Sequence, residues 1–276
     1  MLSFSTKASV LEELSKVITT ANILPLLKFT VGEFELEKNE IIINIQQTFS
    51  EEKLIIRSSA KAEDNFETSN AGKFDSILNI NKNEPDKIKE AIGNVIASYE
   101  SYLESNEVLV QPMLKNIAMS GVVITADIDT LSPYYIINFD ESSDSESVTS
   151  GKAKALKTYI RFKDSPFDCS DKRLAKLLAA CTECEKIFDN KFLDIEFAFD
   201  DQDNLFIFQV RPLVRLNKED LSDIDLKEVL EKIYKKFKKL SSKHPHILGD
   251  KTVLGVMPDW NPAEIIGIKP KRLSLS

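Results

Sequence analysis

The stretch from Asp194 to Pro212, DIEFAFDDQDNLFIFQVRP, constrains this chain more than any other. Two runs of alternating apolar and polar residues flank Asp200-Asp201-Gln202-Asp203-Asn204, a cluster of turn formers. That pattern predicts two strands, Phe192–Phe199 and Leu205–Val210, joined as an antiparallel hairpin. Alternation puts Asp194, Glu196 and Ala198 on one face and Ile195 and Phe197 on the other. In the partner strand Gln209 and Arg211 share a face. A hairpin can therefore gather two carboxylates, one amide oxygen and one guanidinium. Carboxylate and amide oxygens suit Mg²⁺, a hard cation that also holds phosphates, and a guanidinium fork suits the same phosphates. The competing reading is a half-exposed hairpin with cross-strand ion pairs. The apolar neighbours Phe197, Phe199, Phe206 and Phe208 weigh against a merely solvated face.

Helical periodicity predicts helices over Ala8–Ile18, over 85–104 with Pro85 near its start, over 171–189 and over 222–241. Strands are expected at Leu54–Arg57, Ser76–Ile80, Glu107–Met113, Gly121–Ala126, Tyr134–Phe139 and Leu156–Phe162. Residues 38–49 fit either period. Helices mixed with antiparallel hairpins indicate an α+β fold rather than a doubly wound parallel sheet. The 276 residues allow one large domain or two subdomains. The basic run Lys235, Lys236, Lys238 and Lys239 reads as a solvated helix face near a C-terminus.

Composition narrows the partners. With 44 acidic and 36 basic residues the net charge is −8, which argues against a nucleic-acid binder. No apolar run reaches the length of about 18 residues that a membrane helix needs. The start, MLSFSTKASVLEEL, has acidic residues where a signal peptide would be apolar, so a cytoplasmic chain is expected. The three cysteines, Cys169, Cys181 and Cys184, do not make a disulfide framework. Cys181 and Cys184 read as buried positions of one helix face, and the alternative is a zinc-binding module.

Three further clusters carry candidate chemistry. RSSAKAED, Arg57 to Asp64, is followed by Ser69, Ala71 and Gly72; guanidinium, hydroxyl and backbone N–H groups of such a segment can cradle phosphate. VLVQPM, Val108 to Met113, ends a strand whose backbone groups can meet a heterocycle edge. Lys7, at the start of the first helix, conflicts with the helix dipole unless an anion lies nearby. No G-x-x-x-x-G-K-[ST], G-x-G-x-x-G or G-x-S-x-G segment is present.

Taken in this order, the clusters resemble the ATP-binding domain of the phosphoenolpyruvate synthase and pyruvate phosphate dikinase family, which has an ATP-grasp fold. The resemblance runs from Lys7 to about Pro212. It rests on RSSAKAED…SNAGKFDSILNI, LVQPML, SGVVITADIDT and DIEFAF…LFIFQVRP. It implies two α+β subdomains, residues 1–106 and 107–215, enclosing Mg-ATP. A closing helix and linker would follow over 216–249, and 250–276 would begin another domain. By resemblance, Lys7, Arg57, Ser58, Thr68 and Gly72 would bind ATP phosphates, and Gln111 and Met113 would face adenine through their backbones. Glu196 and Gln209 would hold Mg²⁺. Arg211 would stabilise the transferring phosphates, with Asp194 supporting it. Lys7, Arg57 and Arg211 are the expected catalytic residues.

Some segments depart from the family pattern. Ser5-Thr6 stands where a glycine pair is usual, and DESSDSESVTSG, Asp140 to Gly151, replaces a glycine-rich segment. No threonine-serine-histidine segment exists, so the phosphorylated histidine is expected in a separate domain of a longer polypeptide. The Ser-rich segment and GVMPDWNPAEIIG, Gly255 to Gly267, are similar to a branch encoded with surface-polysaccharide genes. That branch includes an L-glutamine kinase of capsular phosphoramidate synthesis. It implies L-glutamine as the acceptor. Phosphoenolpyruvate synthases and antibiotic phosphotransferases share the scaffold, and a nucleotide-binding module without catalysis is the non-enzymatic alternative.

Overall fold

A computed structural model gives the fold and describes residues 2–60, 76–99, 103–141, 157–165, 168–213, 226–246 and 248–250. The chain divides into two compact units, Met1–Leu221 and Ser222–Ser276.

In the first unit the described elements run α1 (Lys7–Ser15), β1 (Leu27–Thr30), α2 (Val31–Thr48), β2 (Lys53–Ser59), β3 (Ser76–Asn81) and α3 (Pro85–Ala97). They continue through β4 (Glu107–Pro112), β5 (Ile117–Ile124), β6 (Tyr134–Asp140), β7 (Lys157–Phe162), α4 (Lys172–Phe188), β8 (Leu193–Asp200) and β9 (Leu205–Pro212). The strands form two antiparallel sheets, a four-stranded one ordered β1-β4-β2-β3 and a five-stranded one ordered β7-β6-β5-β8-β9. This is the α+β class expected from the sequence.

Each sheet has its own core. On the four-stranded sheet, Leu54, Ile56, Val108 and Val110 pack with Ile41, Ile45, Ile88 and Ile92 of α2 and α3. On the five-stranded sheet, Val123, Ile137, Ile195 and Phe197 pack with Leu11 and Leu14 of α1 and with Leu177 and Cys184 of α4. Burying a Leu, Ile or Phe side chain in this way contributes about 1.5–3 kcal/mol each. Cys181 and Cys184 are thus core residues, and among the described residues no group of three or more His, Cys, Asp or Glu can hold a metal ion. Gly121 is needed where β5 runs beside β6, because a Cβ there would lie 2.1 Å from the Asn138 carbonyl oxygen.

Several boundaries differ from expectation. The ambiguous segment 38–49 is the second half of α2, which starts at Val31 and kinks at Glu37 (φ −126°, ψ 36°). Thr30 and Glu33 form a reciprocal capping box at its start, a T-x-x-E signal that periodicity alone does not register. The helix expected over 85–104 ends at Ala97, and Leu103 is 52% exposed rather than part of the stripe. The subdomain boundary expected at 106/107 cuts across the sheets. β4 is the second strand of the four-stranded sheet, while α1 packs in the core of the other. β1 has only four residues, one of them buried, too few to show a period.

In the second unit the described helix, α5 (Leu226–Leu240), carries i,i+4 ion pairs such as Glu228–Lys232 at 2.6 Å. Its basic run is exposed, as expected. No helix among the described residues is long and apolar enough to cross a membrane. Thr68, Gly72, the Ser-rich segment beyond Glu141 and residues 251–276 lie outside the described residues.

Candidate functional site

β8 and β9 pair in the register that brings the predicted residues together: Asp194 stands opposite Arg211, and Glu196 opposite Gln209. Immediately beyond, the register slips, with Phe197 opposite Ile207, so Phe208 is an extra residue on β9. Such a bulge turns its carbonyl out of the ladder. The Phe208 carbonyl accepts a hydrogen bond from Arg57 Nη1 at 3.3 Å.

Arg57 comes from β2 of the other sheet. Its Nη2 donates to Glu196 Oε2 at 3.1 Å, so one ion pair joins the two sheets. The Arg57 side chain is only 8% exposed, whereas Glu196 keeps 33% of its side-chain surface. Arg57 Nε is buried and has no hydrogen-bond partner among the described residues. A buried donor of this kind costs free energy unless something accepts from it.

Asp194 and Arg211 form a second pair on the hairpin itself. Arg211 Nε and Nη2 both donate to Asp194 Oδ2, at 2.8 and 2.7 Å. The two carboxylates respond differently to their surroundings. Burial pushes Asp194 above the ordinary aspartate value, and the Glu196 charge adds to this; Arg211 opposes both without overcoming them. Burial also pushes Glu196 upward, but the positive charges of Arg57, Lys7 and Arg211 outweigh it and hold Glu196 below its ordinary value. Glu196 is therefore a carboxylate anion at neutral pH.

The pocket at this junction has two characters. Leu24, Ile55, Leu78, Met113 and Ile117 supply apolar walls, while Arg57 and Glu196 supply the charged end. Gln111 also lines it; the residue is buried, and its Nε2 donates to the Leu24 carbonyl at 3.4 Å. Met113 is present, but its N–H donates to the Lys53 carbonyl at 2.9 Å. That amide is thus already bonded, and Met113 contributes its side chain, whose Sδ accepts from Asn79 N at 3.2 Å. The arrangement suits a ligand with a flat apolar part and an anionic tail.

Ser58 is not at the pocket. Strand alternation puts it on the face of Leu54 and Ile56, which belong to the α2–α3 core. The serine on the Arg57 face is Ser59, two residues on, and it escaped the sequence reading although alternation from Arg57 points to it. Ser59 Oγ accepts from Ala8 N at 2.9 Å and so ties the start of α1 to β2. Thr6 caps the same helix, accepting from Ser9 N at 3.3 Å, and its hydroxyl donates to Glu107 of β4. These bonds set Lys7 close enough to Glu196 for its charge to act there.

Glu196 and Gln209 fit Mg²⁺ by donor chemistry. One ionised carboxylate and one amide oxygen are hard donors, and a nucleotide-bound Mg²⁺ takes its other ligands from phosphate and water.

The comparison with curated proteins found no match. Among solved structures, the chain is similar to D-alanine–D-alanine ligase from Bacillus anthracis, at 10% identity over 83% of this chain and 65% of that one, with a TM-score of 0.42. It is similar to D-alanine–D-alanine ligase from Helicobacter pylori, at 14% identity over 84% and 60%, with a TM-score of 0.45. A third is the VanG D-Ala:D-Ser ligase from Enterococcus faecalis, at 14% identity over 83% and 59%, with a TM-score of 0.42. The chain spans less than two thirds of the length of each of these structures. Residues 30–149 match the model of the family described as pyruvate phosphate dikinase, AMP/ATP-binding domain. The matched segment contains Arg57, Gln111 and Met113, while the hairpin with Glu196, Gln209 and Arg211 lies beyond it. The match supports, at the level of that nucleotide-binding domain, the pyruvate phosphate dikinase family read from the sequence.

Proposed function

We propose that this chain is an ATP-grasp domain that binds Mg-ATP and passes a phosphoryl group to a histidine in a separate domain. The phosphohistidine then serves a small-molecule acceptor. The observation that carries this reading is the junction of the two sheets, where buried Arg57 meets Glu196 at the charged end of an apolar-walled pocket. The match of residues 30–149 to an AMP/ATP-binding domain supports it independently of the hairpin.

In this account the adenine ring packs among Ile55, Leu78 and Met113. Arg57 and Lys7 take the phosphates, and Arg211, held in orientation by Asp194, stabilises charge as the phosphoryl group moves. Glu196 and Gln209 would hold Mg²⁺, which would shield the charge of the polyphosphate. Phosphoryl transfer asks for this alignment and neutralisation more than for covalent chemistry from the protein. The side chain of Ser58 has no part in it.

For the acceptor we propose the amide of L-glutamine. The net reaction converts ATP, L-glutamine and water to AMP, phosphate and L-glutamine phosphate. This step rests on the resemblance of the Ser-rich and C-terminal segments to the capsule-associated branch. The test uses the polypeptide that contains the phosphohistidine domain, incubated with ATP, Mg²⁺ and L-glutamine and followed by ³¹P NMR. A phosphoramidate signal accompanied by AMP is expected. AMP formed only with pyruvate would move the chain to the phosphoenolpyruvate synthase reading. No ATP turnover with any acceptor would contradict the enzymatic reading.

A further inference from the structure

The two groups assigned to opposite parts of the ligand are paired with each other. Arg57, the phosphate-side cation, donates from Nη2 to Glu196, the metal-side anion, at 3.1 Å. Each would have to give up this partner to meet its own part of Mg-nucleotide. The burial is uneven: Arg57 is 8% exposed and Glu196 33%. Glu196 is therefore the member with room to move. Arg57 is fixed further by the Phe208 carbonyl at 3.3 Å, and its buried Nε has no hydrogen-bond partner among the described residues.

Consider three ligands approaching this pair. A polyphosphate without metal meets Arg57 but brings its negative charge against the Glu196 carboxylate, and like charges at contact are unfavourable. A free Mg²⁺ meets Glu196 but brings its charge against Arg57 and Lys7. A magnesium–polyphosphate complex replaces both partners at once: cation to Glu196, phosphate oxygens to Arg57. Its phosphate oxygens also supply an acceptor for Nε. The positive charges of Lys7 and Arg211 also act on Glu196 and strengthen the bias against metal alone.

We propose that the Arg57–Glu196 ion pair is a selectivity device, which admits the magnesium complex of a nucleoside polyphosphate and discriminates against either component alone. This rests on the Mg-nucleotide reading of the site. Glu196 thereby has a role before any chemistry: it makes metal-free nucleotide a poor ligand.

The test is calorimetric titration of the chain with a non-hydrolysable ATP analogue in EDTA, with Mg²⁺ alone, and with both. The wild type should bind the pair well and each component poorly. Glu196→Gln removes the charge and keeps an oxygen for Arg57; Glu196→Ala removes both. Folding of each variant is checked by circular dichroism. Both variants should bind the metal-free analogue more tightly than the wild type, by roughly 5- to 150-fold, the usual range for coupling between two ligands. The gain from Mg²⁺ should shrink in step. If the wild type binds Mg²⁺ alone as well as it binds the pair, the proposal is wrong. It is equally wrong if neither folded variant gains affinity for metal-free analogue while the wild type still binds the Mg²⁺ complex; the nucleotide reading then stands. No binding of analogue with Mg²⁺ to any form overturns both.

Discussion

Arg211→Ala tests the hairpin most sharply, because Arg211 and Asp194 are held to each other by two bonds to a single oxygen, at 2.8 and 2.7 Å. Their side chains are 20% and 14% exposed, so the pair is largely but not wholly out of water. Removing one partner of a buried ion pair costs about 3–5 kcal/mol, because the other charge is stranded. Partial exposure and protonation of Asp194 both relieve that cost, so we expect about 2–3 kcal/mol at pH 7. Asp194→Asn strands Arg211 less severely, at about 1–2 kcal/mol. The double variant should fall short of the sum by about 1–2 kcal/mol, the coupling of a contacting pair. Urea unfolding followed by circular dichroism measures all three, provided the slopes agree. The pH dependence adds a sign. Asp194 already has a folded-state pKa above its unfolded value. The folded form then holds the proton to higher pH, so stability from this group is greatest in acid and falls as pH rises through the raised value. Loss of Arg211 removes the one influence that lowers it, so the deficit of Arg211→Ala should narrow on going from pH 7 to pH 5. Additivity within about 0.5 kcal/mol, with a deficit independent of pH, would refute the reasoning.

Ser59→Ala removes the acceptor for Ala8 N at the start of α1. A lost N-terminal cap costs about 1 kcal/mol, or roughly 2–4 °C in Tm for a unit of this size, and an unchanged melting curve would contradict the tie. Gly121→Ala brings a methyl group against the Asn138 carbonyl and Phe139 backbone, so overpacking should cost about 1–3 kcal/mol in the same unfolding assay. Burial, reinforced by the neighbouring Glu183 and Glu185, pushes the Cys184 thiol up to about 12, and burial together with Cys184 and Glu185 pushes Cys181 up as well. Native-state thiol titration should therefore register Cys169 alone, with Cys181 and Cys184 appearing only on denaturation; native zinc binding would contradict their assignment to the core.

The hairpin was legible in the sequence because period-2 alternation and a run of turn formers act over a few residues. The same local rule paired Asp194 with Arg211 and Glu196 with Gln209. What the sequence hid was non-local. The Arg57–Glu196 contact joins residues 139 apart in the chain, and no periodicity encodes which strand of another sheet lies opposite. The bulge at Phe208 was equally hidden, since an extra residue shows only when a register is compared with its partner. Ser58 and Ser59 are adjacent in the motif, but alternation assigns Ser59, not Ser58, to the face of Arg57. Where β4 and α1 pack is a matter of topology that the sequence does not encode. β4 follows α3 in sequence but hydrogen-bonds between β1 and β2, and α1 packs under the other sheet.

We propose that Mg-nucleotide binds at the junction of Arg57, Glu196, Gln209 and Arg211. A crystal structure of this chain with Mg²⁺ and a non-hydrolysable ATP analogue tests it most directly. The metal is expected on Glu196 and Gln209, phosphate oxygens on Arg57, and the base among Ile55, Leu78 and Met113. The Arg57–Glu196 contact should be broken. Nucleotide bound elsewhere, or bound here with that ion pair intact and no metal on Glu196, would contradict it.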